Sequence, residues 1–418
     1  MGYTENLIDF IGKSTDCYHA VKTAKDRLDE NDFTELLEGD KWDVQSGGKY
    51  YVIRNSSSII AFEMPKKDFG AFMICASHTD SPSFKLKPDF EINADGCIKL
   101  SVEGYGGMIM SSWLDRPLSI SGRIVTAKNG KVETKLVNID RDLLVIPSLA
   151  IHMSRDINKG YEFNIRRDMC PIASEKNGRI EDIIAENVGV DKEEILGFDL
   201  SLYNRMRGTV LGADGEYFSA PRIDDLQCMY STLEGFLNSE SDDNVNVFAA
   251  FDNEEVGSGT KQGAKSSFLR DVLERICNNS ETYKRAVAKS FMLSCDNAHA
   301  VHPNFADKSD GTNRVYMNGG IVIKYNANQR YTTDAVSEAV VKYVCKNAGV
   351  PYQMYANRSD IPGGSTLGNL SNEKVSLNTA DIGLAQLAMH SSYETAGSRD
   401  TEYMVKMIKE FYKTEIVL

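Results

Sequence analysis

"VNVFAAFDNEEVGS", residues 245–258, runs from an apolar segment straight into a cluster of acids. Val245 to Phe251 is the right length for a buried strand. Asp252, Glu254 and Glu255 then fall within four positions. Carboxylates packed at the end of a buried segment are costly unless something offsets their charge. The strand and its acidic end set two questions: what sheet it belongs to, and what compensates the acids.

Other apolar runs finish in the same way. Ala71–Ser77 ends in His78-Thr79-Asp80, and Phe291–Cys295 ends in Asp296. Leu384–Met389 ends in His390. A further piece, Arg222-Ile223-Asp224-Asp225, opens a segment in which Leu226, Met229, Tyr230, Leu233, Phe236 and Leu237 recur at helical spacing. A second helix is expected after Thr332-Thr333-Asp334, with Ala335, Val336, Ala339, Val340, Tyr343 and Val344 in phase, ending at Gly349-Val350-Pro351. From about residue 216 onward, apolar runs and helical segments alternate, Ile321–Ile323 among the runs. That rhythm predicts an α/β fold with a mainly parallel sheet sandwiched by helices. In such sheets, sites form at the carboxyl ends of the strands, so these His, Asp and Glu residues are expected to converge.

Residues 91–215 have a different texture. Short alternating pieces (Cys97–Val102, Leu118–Val125, Lys131–Asn138) precede a charge-rich stretch from Asn158 to Glu194. This predicts a smaller β-rich domain, residues 91–215, inserted into an α/β domain made of residues 1–90 and 216–418. Residues 1–28 read as one amphipathic helix, with Leu7, Ile8 and Ile11 on its apolar face.

Together, His78, an acid of the Asp224-Asp225 pair, a glutamate of the Glu254-Glu255 pair, Asp296 and His390 offer nitrogen and oxygen donors with no thiolate. That set suits zinc, manganese or cobalt in a catalytic site. Two histidines and three carboxylates match two ions sharing one carboxylate, an arrangement that polarises a carbonyl and activates water. Adjacent glutamates point different ways, so one of Glu254 and Glu255 can bind metal while the other faces substrate and moves protons. Asp80, two residues after His78, is placed to orient that imidazole. Each piece has a plainer reading when taken alone. Asp224 and Asp225 read as helix caps, "NEE" as a solvated turn, and His19 as a structural residue. His299 and His302 are spaced like a ligand pair, but no second compact pair follows. Gly104-Tyr105-Gly106-Gly107 lacks the lysine and spacing of a phosphate loop.

Bulk properties exclude several classes. The net charge of −13 disfavours nucleic acid and anionic membrane as partners. No apolar stretch approaches the roughly 18 residues of a membrane span. The eight cysteines form no CxxC pair and read as reduced thiols, which points to a cytoplasmic protein.

Seven strings, in order along nearly the whole chain, resemble the aspartyl aminopeptidase family of dinuclear zinc metalloaminopeptidases. They are "HTDSPSFKLKP" (78–88), "SAPRIDDLQ" (219–227), "FDNEEVGSGTKQGA" (251–264), "DNAHAVHPNF" (296–305), "IVIKYNANQRYTTDAVSE" (321–338), "RSDIPGGSTLG" (358–368) and "MHSSYETAG" (389–397). The compact loops look like those of a bacterial member. The resemblance implies His78, Asp224, Glu255, Asp296 and His390 as ligands of two divalent ions, with Asp224 bridging. It implies Glu254 as general base and acid, and Asp80 as the partner of His78. It places Lys324 near the substrate's first side chain and His152 in a neighbouring subunit's active site. It implies a homododecamer, with the inserted domain making dimer contacts. Asp225 stands where many relatives have Asn, so which of the two acids bridges is open at this level. The expected activity is release of N-terminal residues from peptides, with acidic Asp or Glu preferred if Lys324 acts as selector. An amidohydrolase or deacylase on the same scaffold, and a catalytically silent assembly protein, are the rival readings.

Overall fold

The computed structural model describes residues 2–175, 178–240, 243–277 and 279–416. The chain divides into two compact units: residues 1–80, 208–389 and 394–418 form the first, and residues 81–207 with 390–393 form the second.

The first unit is built on a nine-stranded sheet. Its strands, in spatial order, are Thr34–Glu35, Lys49–Arg54, Ser58–Glu63, Val245–Phe251, Phe72–His78, Phe291–Cys295, Asn378–Gly383, Ile321–Tyr325 and Tyr352–Ala356. The four strands from Val245–Phe251 to Asn378–Gly383 are mutually parallel, so the mainly parallel centre is as expected. The sequence explains why both faces are covered. Along Phe72–His78, Met73 and Cys75 enter one apolar cluster, while Phe72, Ile74 and Ala76 enter another. Along Val245–Phe251, Phe248 and Ala250 join the first cluster, and Val245, Val247, Ala249 and Phe251 the second. A strand apolar on both faces is stable only between two layers. One layer contains the helices Tyr3–Lys13, Cys17–Asp29, Ile223–Leu237, Ala335–Ala348 and Asp400–Lys413. The other contains Phe268–Ile276 and, through Ala286, Ser280–Lys289.

A smaller five-stranded sheet completes this unit. It runs Thr209–Leu211, Tyr217–Ala220, Glu394–Gly397, Ala385–Leu387 and Ala298–His299. The run 384–389, expected beside the other core strands, therefore belongs to this small sheet. The core strand nearby is Asn378–Gly383, whose Asn, Thr and Asp disguised it in the sequence.

The second unit is β-rich and antiparallel. Its six strands are ordered Lys131–Asn138, Leu118–Lys128, Ile195–Asn204, Ser83–Ala94, Cys97–Tyr105 and Ile172–Glu175. Phe84, Leu100, Trp113, Leu118, Ile120 and Leu200 are among the residues of its own core. The expected boundaries at 90/91 and 215/216 move to 80/81 and 207/208. The reason is hydrogen bonding. Ser83–Ala94 pairs with Cys97–Tyr105, while Thr209–Leu211 pairs with Tyr217–Ala220.

The single N-terminal helix is also corrected. Two helices, Tyr3–Lys13 and Cys17–Asp29, are separated at Ser14-Thr15-Asp16, and Met1 lies outside the described residues. Asp16 restarts the helix by accepting from the Tyr18 and His19 amides, and its second oxygen lies 2.7 Å from His19 Nδ1. His19 is thus a structural residue.

Gly383 marks the tightest approach in this frame. A Cβ there would lie 1.9 Å from the Asp296 carbonyl oxygen. Gly383→Ala is expected to cost about 1–3 kcal/mol or more, as overpacking does. Denaturant unfolding measures it; a loss under about 0.5 kcal/mol would show that the backbone gives way freely there.

Candidate metal centre

Three adjacent parallel strands deliver the acids. Phe72–His78 lies between Val245–Phe251 and Phe291–Cys295, and all three point the same way. Their carboxyl ends carry His78 and Asp80, then Asp252 to Glu255, then Asp296. Register alone brings residues over 200 positions apart into one cluster. His78, Asp224, Asp225 and Asp296 each offer an atom within 4.8 Å of the others, and His78, Glu254 and Glu255 do the same.

Asp224 and Asp225 reach the cluster from the start of the Ile223–Leu237 helix. Neither has helical backbone angles, and neither caps the helix. The plain capping reading is therefore set aside. The two acids do different things. Asp224 Oδ1 lies 3.3 Å from His78 Nε2, facing the imidazole. Asp225 Oδ2 accepts the His78 backbone N–H at 3.1 Å, which ties it to the strand end. Asp225 Oδ1 is buried with no hydrogen-bond partner.

His78 is fully buried, and its ring orientation is set. Nδ1 lies 3.0 Å from the Asp80 carbonyl oxygen, which can only accept, so Nδ1 carries the proton there. Nε2 is the nitrogen turned toward Asp224 and, at 3.8 Å, Asp296 Oδ1. Burial would lower the pKa of His78. The charge of Asp225 and contacts with Asp224, Asp296 and Asp80 outweigh it and raise the pKa well above the usual value.

Asp80 steadies more than the histidine. Its two oxygens accept the backbone N–H groups of Glu254 (3.1 Å) and Glu255 (3.2 Å). Those two glutamates occupy a short 3₁₀ turn, Glu254–Val256, entered through Asn253 at φ 64°. Asn253 Oδ1 accepts from Thr260 Oγ1 and Gln262 Nε2, holding the loop behind the turn. The Glu254 carboxyl is pushed up to about 8, first by burial and then by Asp296, Asp80 and Asp224, against an opposing contribution from His78.

Lys324 is buried among these groups, and its ammonium donates to Asp296 Oδ2 at 3.2 Å and to the Asn297 carbonyl at 2.8 Å. His390 is counted with the second unit, where its Nδ1 donates to the Gly107 carbonyl at 2.5 Å, leaving Nε2 as the lone-pair nitrogen. His152 is exposed on the second unit. His302 packs on Phe305 and accepts the Asn304 amide; neither it nor His299 joins a metal-type group among the described residues.

The donor set fits a divalent cation. Asp80, Asp224, Asp225, Glu254, Glu255 and Asp296 face one imidazole and one ammonium, so negative charge is in excess. That excess and the oriented His78 Nε2 are what a cation site presents.

With this geometry in view, comparison with known proteins is decisive. Residues 10–412 match the family described as Aminopeptidase I zinc metalloprotease (M18). The chain belongs to that family. It is 45% identical to a probable M18 family aminopeptidase 2 of Clostridium acetobutylicum, with 98% of each chain covered. A Pseudomonas aeruginosa protein of the same name is 38% identical, covering 98% of this chain and 97% of its own. Among solved structures, the Ape4 and Nbr1 complex contains a chain that superposes with a TM-score of 0.95 at 35% identity, covering 98% of this chain and 85% of that one. The mApe1 dodecamer of S. cerevisiae superposes at 0.85 with 29% identity, covering 98% and 96%. The M18 chain is thus a metal-dependent aminopeptidase, a hydrolase that releases N-terminal residues from peptides, of a zinc metalloprotease family.

Asp80→Asn tests the support of the cluster. An amide offers one acceptor oxygen, so one of the Glu254 and Glu255 amides loses its partner. The expected result is a folded protein with metal affinity about 10- to 100-fold weaker. Titration with zinc against a chromophoric chelator reads this directly; unchanged affinity would show that the turn holds without Asp80.

Proposed function

We propose that His78, Asp224, Glu255, Asp296 and His390 would hold two divalent ions, most simply zinc, with Asp224 a ligand to both. The observation that carries this reading is the convergence of His78 with Glu254, Glu255 and Asp296, which follow three adjacent parallel strands, and with buried Asp224 and Asp225 from a helix start. Asp225, already bonded to the His78 backbone, serves as a fixed support instead of the bridge. When bound, such ions polarise the scissile carbonyl and make water nucleophilic near neutral pH.

The chain's own residues do the rest. Glu254 stands beside the ligand set with its backbone fixed by Asp80. It takes the proton from the attacking water and returns it to the leaving amine nitrogen. The surplus of carboxylates favours a positively charged free α-amine at the peptide's N-terminus. An ammonium has three donors. Two from Lys324 are engaged with Asp296 and Asn297, and the third is assigned to an acidic first side chain of the substrate. With that assignment, peptides beginning with Asp or Glu would be preferred.

The proposal includes self-association as a homododecamer. His152 is flanked by three exposed apolar side chains, Leu149, Ile151 and Met153, a composition typical of an interface. In it, His152 reaches the active site of a neighbouring copy. All eight cysteines are free, in keeping with a cytoplasmic location, and among the described residues no helix is long and apolar enough to cross a membrane.

Glu254→Gln is expected to bind zinc as the unmodified protein does and to lose about 10²- to 10⁴-fold in kcat. Retained turnover would remove Glu254 from the mechanism. The substrate panel should contain acidic, apolar and basic N-termini, each also N-acetylated. Cleavage of free-amine peptides alone supports the aminopeptidase; cleavage of acetylated ones supports a deacylase. Met153→Glu is expected to reduce the particle mass seen by light scattering, and an unchanged mass would place the contacts elsewhere.

A further inference from the structure

Behind the acids lies a set of buried polar side chains that the chemistry above does not use. Asn297, Gln227, Gln386 and Glu394 are each no more than 2% exposed. They form one continuous chain of hydrogen bonds. Asn297 Nδ2 donates to Gln227 Oε1 at 2.9 Å and to Gln386 Oε1 at 3.0 Å. Gln386 Nε2 donates to Glu394 Oε1 at 3.3 Å. Glu394 Oε2 accepts the backbone N–H of Asp224 at 3.1 Å. Asn297 follows Asp296 directly, and its carbonyl accepts from Lys324, which also grips Asp296 Oδ2. The chain therefore begins at one acid of the cluster and ends at the backbone of another.

Its direction is dictated by a single group. Glu394 as a carboxylate only accepts, so Gln386 must turn its amide nitrogen toward it. Gln386 Oε1 then faces Asn297, which must present Nδ2. Gln227 in turn presents Oε1 to Asn297 and sends Nε2 to Thr401 Oγ1 at 3.1 Å. Asn297 Oδ1 is left to accept from the Cys228 thiol at 3.2 Å. No orientation remains optional. Three amides and an acid, buried and mutually determined, are an expensive way to fill a core that apolar residues would fill as well.

We propose that Asn297, Gln386 and Glu394 are positioning residues that set Asp224 relative to Asp296 and thereby fix the spacing of the metal ligands. Resting on the metal-centre reading above, this inference adds residues that touch neither ion nor substrate.

The test is a polarity swap, read on metal affinity. Glu394→Gln puts an amide nitrogen against the Gln386 amide nitrogen. Gln386→Glu puts two carboxylates face to face. The double variant reverses the donor and acceptor across that one bond, while Asn297 and the Asp224 amide keep their partners. Each single variant is expected to weaken zinc binding about 10-fold or more, and the double variant to return within about threefold of the unmodified protein. The melting temperature of the metal-free protein is measured alongside. A tie that serves only the fold would lower that temperature and leave the affinity of the folded molecules unchanged, which overturns the proposal. Unchanged affinity in both singles, a double no better than the worse single, or failure of all three to fold overturns it too. The two readings fail separately. Unmodified protein that binds zinc but cleaves no free-amine peptide sinks the aminopeptidase reading while the swap still reads; unmodified protein that binds no zinc sinks both.

Discussion

The fold exists around a crowd of like charges held out of water. At an effective dielectric of about 20, two carboxylates about 4 Å apart repel by about 4 kcal/mol. Around His78, five carboxylates meet, Asp224, Asp225, Glu254, Glu255 and Asp296, with the buried Lys324 beside Asp296. A loop could not hold them together, because it would simply open. Parallel strands set their starting points, since Asp80, Glu254, Glu255 and Asp296 follow directly on the ends of strands that are buried on both faces. The rigidity of the sheet is what lets the repulsion stand, and the repulsion is what gives the cluster its appetite for cations. Binding to the folded state alone then adds stability by mass action, so metal loading and folding are linked in this protein.

Much of this was legible in the sequence because it depends on local rules. Val245–Phe251 announces a strand by its length and apolarity, and the acids that follow announce its end. The same logic reads Phe72–His78 and Phe291–Cys295. Helix signals at Thr332-Thr333-Asp334 and at Gly349 correspond to a real N-cap, with Asp334 accepting from Val336 and Ser337, and to a left-handed stop. What stayed hidden needed tertiary partners. Asn378–Gly383 is polar by composition, yet Asp381 at its centre is fully buried because Thr332 and Thr366 hydroxyls satisfy it. The unit boundaries depend on which strand pairs with which, and Ser83–Ala94 carries no mark of its sheet.

The roles within the cluster were legible only in part. Sequence places Asp224 and Asp225 side by side and cannot say how they divide the work; geometry turns one toward the imidazole nitrogen and the other onto the strand's own amide. Asp80 was expected to steady His78 with its side chain. The nearer acceptor for the ring is the Asp80 carbonyl, and the carboxylate is spent on the turn that carries Glu254 and Glu255. One residue thus orients the His78 imidazole through its backbone and two acids through its side chain. Gln227 and Gln386 did carry a signal: each is an amide in an otherwise apolar segment, where an unsatisfied polar group is not tolerated.

Amides and charges have separate tasks in this interior. A charged tie between Asp224 and Asp296 would change the electrostatics of the site it supports, and would move with protonation. Neutral amides carry direction along the middle of the tie without adding charge of their own. Glu394 is the one charged member, and it sits at the far end of the chain from Lys324. The two opposite charges therefore close the chain at its ends, one on the Asp224 amide and one on Asp296. The cluster is assembled from strand ends and a helix start, and the Ile223–Leu237 helix shares no backbone ladder with the sheet. Side-chain hydrogen bonds supply the register that the ladder supplies elsewhere.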